Sequence, residues 1–264
     1  MIVNHKLGIT LSGGGFRGVA HLGVLQFLSE LGIAPDELSG TSAGALIGAL
    51  IAEGYSPLDI LKFCKDEKFF SYSDLLSARR SGLFNTIVFE RIVKKYIPHD
   101  SFEGLKIPLY VSVTDLTNAQ SLMFNQGSLS FAIKCSCSFP LIFQPVKYKD
   151  DIFLCDGGIM NNFPVEQMRA SCNKVIGINV NPISRMEGNI SYKEVISRII
   201  RITTSRMYNI AEKACDIYIQ PDEINRYGTF ESKRIQEIYD LGYRYAQEFE
   251  EEFLRLKESL QSTN

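Results

Sequence analysis

The sequence predicts an α/β fold, a mostly parallel central sheet covered by helices, on three observations. Strand-length apolar runs alternate with segments of helical spacing through the first fifty residues. Glycine and small-residue turns fall at the junctions between them. No internal repeat, low-complexity stretch or linker interrupts the chain. A β-α-β-α beginning of this kind is how parallel sheets with helical layers are built. A chain of 264 residues, 45% apolar and 22% charged, is long enough to close one large core, so a single domain over 1–264 is expected.

The elements follow in order. Residues 7–11 form a buried strand that runs into Ser12-Gly13-Gly14-Gly15. Residues 18–31 place Val19, Leu22, Leu25, Leu28 and Leu31 at helical spacing, and Gly32 stops them. A short segment, 35–39, leads to Gly40-Thr41-Ser42-Ala43-Gly44 and a helix over 45–52. Residues 56–97, rich in Phe and Tyr, read as short helices that cap the site. A strand is expected at 107–114, a partner strand at 119–124, a small-residue helix at 129–138, and a hairpin of 146–148 with 152–155 around Asp150-Asp151. Strands at 174–180 and 216–220 flank a long helix at 192–214. Residues 232–260 are expected to be helical, with a core-facing stripe from Ile235 to Leu260.

Composition excludes several classes. The net charge is −2 and no basic run exceeds two residues, which argues against a nucleic-acid partner. No apolar stretch reaches the length of a membrane-spanning helix. The six cysteines show neither zinc spacing nor a disulfide framework, so buried reduced thiols, no metal and no cofactor are expected. The strand at residue 7 leaves no room for a signal peptide, and a cytoplasmic location follows as an expectation.

Chemistry concentrates in three places. The G-x-S-x-G of residues 40–44 lies at a strand-to-helix turn, where a serine hydroxyl is thrust outward above a helix N-terminus. Such a serine needs a base and oxyanion donors. The chain has three histidines, His5, His21 and His99, and only His99 follows Ser42, in a helix-ending turn. A Ser-His-Asp arrangement is therefore disfavoured, and a carboxylate becomes the candidate base. Asp156-Gly157-Gly158, delivered by the apolar run 152–155, is the first choice, and Asp115 at the end of a strand is its competitor. The loop Gly13-Gly14-Gly15-Phe16-Arg17-Gly18 presents successive backbone N–H groups to an anion. It also matches G-x-G-x-x-G with Asp36 and Glu37 further on, so a dinucleotide site is an alternative. Against that alternative, Arg17 is bulky and the acids precede the second strand.

Taken together, these three motifs resemble the patatin-like phospholipase family. The glycine loop is similar to its oxyanion motif, with Arg17 and Gly18 in support. Residues 40–44 are similar to its nucleophile elbow, framed by Gly40 and Gly44, and Asp156-Gly157-Gly158 to its aspartate element. Ser138-Phe139-Pro140 and Phe143-Gln144-Pro145-Val146 also resemble the stretch before the aspartate, whereas Cys135-Ser136-Cys137-Ser138 has less alanine than expected. The resemblance covers about residues 6–180 and leaves a C-terminal helical part, about 190–264, outside it. It implies a three-layer α/β/α fold and a Ser-Asp dyad lipid acyl hydrolase. Ser42 would form the acyl-enzyme, Asp156 would be the general base, and Gly13, Gly14 and Gly15 would hold the oxyanion. The substrate would be a phospholipid or other acyl lipid met at a membrane surface. A catalytically silent lipid-binding module is the other alternative.

Overall fold

The computed structural model describes residues 6–66, 86–140, 142–183, 212–229 and 233–261, together with 185, 195, 198, 199, 202 and 231. Its centre is an eight-stranded sheet: β1 (Leu7–Leu11), β2 (Glu37–Thr41), β3 (Leu109–Asp115), β4 (Gln120–Phe124), β5 (Val146–Lys147), β6 (Phe153–Asp156), β7 (Lys174–Ile178) and β8 (Ile217–Ile219). The order is β5-β6-β3-β2-β1-β7-β8, with β4 paired to β3. β8, β7, β1, β2 and β3 run parallel, while β4 and β6 run antiparallel to β3.

The two faces of the sheet differ because the strands alternate large and small residues. Leu7, Ile9, Leu11, Leu38, Val111, Val113, Ile176 and Ile178 join the main core. Helices α1 (Val19–Glu30), α2 (Ala43–Glu53) and α5 (Leu129–Ser136) contribute to that same core. The other face carries Gly8, Thr10, Ser39 and Ser112, and segment 157–172, including helix α6 (Val165–Ser171), lies against it. Hydroxyl groups attach that segment: Ser39 Oγ donates to the Pro164 carbonyl (3.0 Å), and Thr41 Oγ1 and Ser112 Oγ both donate to the Asn161 carbonyl (3.0 Å each). Short polar side chains thus satisfy backbone acceptors that no ladder reaches. The result is the three-layer arrangement that the sequence predicts.

Helices α3 (Pro57–Asp66) and α4 (Ile87–Tyr96) account for part of the aromatic region. Its rings pack on one another: Phe63 stacks on Tyr96 with centroids 4.2 Å apart, and the Tyr55 hydroxyl donates to the Tyr96 carbonyl. The remainder of the expected cap, 67–85, and most of the helix expected at 192–214 lie outside the described residues. The stretch expected to be helical at 232–260 is helical but not continuous. Two helices stand there, α7 (Ile235–Gln247) and α8 (Glu250–Gln261), and the chain turns at Glu248-Phe249. The turn lets Phe249 and Phe253 pack on each other while Phe253 also reaches Phe27 of α1. α7 lies on α1 at a glycine crossing, where a Cβ on Gly23 would strike the Tyr239 carbonyl and one on Gly242 the Ala20 carbonyl. Mid-helix glycine costs about 1 kcal/mol in propensity, which the close approach of the two backbones offsets here.

Candidate active site

The site forms where strands end. Thr41, the last residue of β2, pairs with Ser112 of β3, and Asp156, the last residue of β6, pairs with Val113. Val111 and Val113 bond to β4 through their other edge. β2 and β6 therefore occupy the same edge of β3, running toward each other, and their C-termini meet. This collinear arrangement brings Ser42, one residue beyond β2, to Asp156 across a long stretch of sequence. A parallel strand continuing past Thr41 would have filled the place that Asp156 takes.

Ser42 caps α2 with φ 52 and ψ −120, outside the ordinary regions for an L residue. Such conformations cost on the order of 1–3 kcal/mol and persist where neighbours hold them. Here the Ser42 amide donates to Ser136 Oγ at 2.8 Å. Gly44 permits the elbow because a Cβ there would collide with the Leu11 and Ser12 carbonyls. The N-terminus of α2 lies directly beyond the serine and favours negative charge there.

Asp156 is 2% exposed. Its Oδ1 accepts the Gly158 amide at 2.7 Å, and the Ser42 side chain is close enough to lower its pKa. Burial pushes its pKa from 3.8 up to about 7, against the opposing pull of the Gly158 amide and the Ser42 side chain. A carboxyl so placed is half ionised near neutrality, which suits a proton acceptor. Cys137 also lies against Ser42, and burial together with the Asp156 charge raises its thiol well above 9.0. The Cys155 thiol is pushed up to about 12. Both stay protonated and do not compete as nucleophiles. The six cysteines are all unpaired with one another, four of them buried.

The glycine loop closes the third side. A Cβ on Gly13 would come within 3.3 Å of Ser42 Cβ, so the loop is against the nucleophile. The Gly13 amide is already committed to the Asn162 carbonyl (3.1 Å). Among the described residues, the Gly14 and Gly15 amides have no acceptor. The far side of the loop is held by the C-terminal part of the chain. Phe16 N donates to the Thr229 carbonyl (2.9 Å), and the buried Arg17 donates through Nε to the Tyr227 carbonyl (2.7 Å). Arg17 therefore faces away into a strap at 221–229. Gly18 gives way to Ala43 of α2, and Gly40, Gly157 and Gly158 each lie where a Cβ would press on neighbouring backbone or side-chain atoms.

Other sequence candidates are placed elsewhere. His99 Nε2 sits 2.9 Å from Glu53 Oε2, at the far end of α2, about 16 Å along the helix from Ser42 at 1.5 Å per residue. His21 is fully buried with Nε2 on the Ser12 carbonyl (2.9 Å), and burial lowers its pKa to about 4, so it is neutral. Asp115 caps its own turn, accepting from the Thr117 and Asn118 amides at 2.9 and 3.0 Å. Asp36 and Glu37 lie at the opposite end of β2 from the loop, bonded to the Leu7 amide and to Lys6 and Ser171. That removes the acid a dinucleotide ribose would need at the glycine loop. Sequence reasoning missed Ser136 and Asn162, whose Nδ2 donates to the Gly13 carbonyl (3.4 Å). Their signal was position alone, since each sits in a motif flank of ordinary small polar residues. Among the described residues, no group of three or more His, Cys, Asp or Glu is placed to hold a metal ion, and no helix is long and apolar enough to cross a membrane.

Comparison with known proteins agrees with this fold. A family model for patatin-like phospholipase matches residues 9–169. A patatin-like phospholipase domain-containing protein of Caenorhabditis elegans is 28% identical over 94% of this chain and 21% of its own length. A lysophospholipase of Meyerozyma guilliermondii is 26% identical over 94% of this chain and 19% of its own. The chain thus spans about a fifth of the length of these relatives. VipD from Legionella pneumophila superposes with a TM-score of 0.60 at 16% identity, covering 93% of this chain and 66% of that one. Human GIVD cytosolic phospholipase A2, solved with methyl γ-linolenyl fluorophosphonate, gives 0.54 at 11% identity, covering 99% and 60%. At these identities the structural likeness is one of fold.

Proposed function

The chain belongs to the patatin-like phospholipase family, and from that premise we propose that it is a serine lipid acyl hydrolase working through a Ser42-Asp156 dyad. The observation that supports this reading is the end-to-end meeting of β2 and β6, which brings Ser42 toward a buried carboxyl whose pKa burial raises to about 7. Ser42 Oγ attacks the ester carbonyl carbon as its proton passes to Asp156. The carbonyl oxygen takes up negative charge facing the Gly14 and Gly15 amides, in the field of the α2 N-terminus. In this reading Gly13 serves for close approach rather than as a donor. Collapse expels the alcohol half of the lipid, which takes the proton back from Asp156. Water then repeats the sequence on the acyl-enzyme and releases the fatty acid. Lysophospholipids and phospholipids presented at a membrane surface are the proposed substrates, in keeping with the lysophospholipase among the relatives.

A fluorophosphonate probe tests the proposal. The expected result is one covalent adduct on Ser42 by intact mass and peptide mapping, with neither label nor lysophospholipid hydrolysis in Ser42→Ala. A folded protein that takes no label, or labels equally well as Ser42→Ala, would overturn it.

A further inference from the structure

The amide of Ser42 falls between two hydrogen-bonding systems. The β1–β2 ladder ends at Leu11 with Gly40, the β2–β3 ladder ends at Thr41 with Ser112, and α2 begins at Ala43. Neither a ladder nor a helix supplies an acceptor for this N–H, on a residue whose backbone lies at φ 52 and ψ −120. Ser136, the last residue of α5, supplies it. Ser136 Oγ gives its own proton to the Ser112 carbonyl at 2.7 Å, which leaves a lone pair for the Ser42 N–H at 2.8 Å. The arrangement has only one sense. Ser136 is 0% exposed, so bulk water does not share the position. The Ser112 carbonyl also supports the Asp156 turn, because Gly157 passes so close that a Cβ would collide with it. A single hydroxyl therefore ties the elbow to β3 at the place where the turn after Asp156 rests. α5 is anchored at its other end, where Ser128 Oγ accepts the Phe131 amide and Asp100 Oδ1 the Ser130 amide.

We propose that Ser136 is a positioning residue for the nucleophile: by holding the Ser42 amide against β3, it fixes the left-handed backbone that aims Ser42 Oγ at Asp156. The inference rests on the reading of Ser42 as nucleophile. It also has a mechanistic corollary, since an amide spent on Ser136 does not serve the oxyanion, which falls to the glycine loop.

The test compares Ser136→Ala, Ser136→Cys and Ser136→Thr with the unmodified protein. Losing a buried acceptor at the elbow is expected to lower kcat for a soluble lysophospholipid or p-nitrophenyl ester about ten- to a hundredfold in the Ala and Cys variants. KM should stay within about twofold, and fluorophosphonate labelling of Ser42 should slow by the same factor as kcat. Cys preserves the volume but is a weak acceptor, so it tests the role in a variant closest to native packing. Thr keeps the hydroxyl and should recover most of the rate. A merely structural role would lower Tm while leaving kcat of the folded protein unchanged, and a Cys or Ala variant labelled at the native rate would overturn the proposal. Ser42→Ala separates the two readings. If it retains hydrolysis, the nucleophile assignment fails. If it is dead while Ser136→Cys runs at full rate, only the positioning role fails.

Discussion

Replacing Asp156 by Asn should stabilise the protein at neutral pH while abolishing its hydrolysis. The carboxyl is buried and its pKa lies at about 7 in the fold against 3.8 when unperturbed. A raised carboxyl pKa means that the folded protein binds this proton more tightly than the unfolded chain. The stability associated with the protonated form is complete below about pH 4 and is lost as pH rises through about 7. At ~1.36 kcal/mol per decade, the separation sets a ceiling of about 4 kcal/mol, approached above pH 7. Asn has the same shape, retains an oxygen for the Gly158 amide, and carries no charge to desolvate. The variant's urea-unfolding free energy, minus that of the unmodified protein, should therefore grow between pH 5 and pH 8. By pH 8 the gap should reach a few kcal/mol, equivalent to a Tm difference on the order of 10 °C. The same group should appear in catalysis, with kcat/KM of the unmodified protein rising through about pH 7 as the base ionises. A stability difference that stays flat from pH 5 to pH 8 would refute the reasoning, because it would mean that Asp156 does not titrate in that range. Function here is maintained at the expense of stability, as is common where a charge must be held dry.

Three further outcomes follow from the packing. Gly242→Ala drives a methyl into the Ala20 carbonyl and should cost about 1–3 kcal/mol in urea unfolding by separating α7 from α1. Arg17→Met keeps the buried volume but releases the Tyr227 carbonyl. It should lower kcat several-fold with little change in KM, and Arg17→Lys should recover part of the loss. His99→Ala removes a partner of Glu53 at the far end of α2 and should leave kcat within about twofold, a larger fall being the result that contradicts its placement.

The three motifs were legible in the sequence because each depends on local chemistry. Glycines mark close backbone approaches, and a serine between small residues marks an elbow. The scarcity of histidine pointed away from His99, and the structure places that ring against Glu53 at the far end of α2 from Ser42. What the residues did not disclose was how the pieces meet. That β2 and β6 share an edge of β3 depends on the antiparallel direction of β6, and nothing in Phe153–Asp156 encodes which strand it will face. Ser136 was visible only as a departure from alanine, because a hydroxyl that bonds an amide 94 positions away leaves no local periodicity. The break within the helical stretch 232–260 was hidden for a related reason. The apolar stripe continues through Phe249, while the turn at Glu248 is imposed by packing on α1.

The strap at 221–229 gives the molecule a history as well as a shape. The glycine loop is synthesised well before the carbonyls of Tyr227 and Thr229 that restrain its far side, which lie 210 positions further on in the Arg17–Tyr227 pair. At ordinary synthesis rates of about 5–20 residues per second, the two are separated by roughly ten to forty seconds. In the last third of that interval, once Asp156 has been made, the nascent chain carries the serine, the aspartate and the glycines but not the brace that shapes the loop. Hydrolytic competence should therefore follow synthesis of the strap rather than of the motifs themselves.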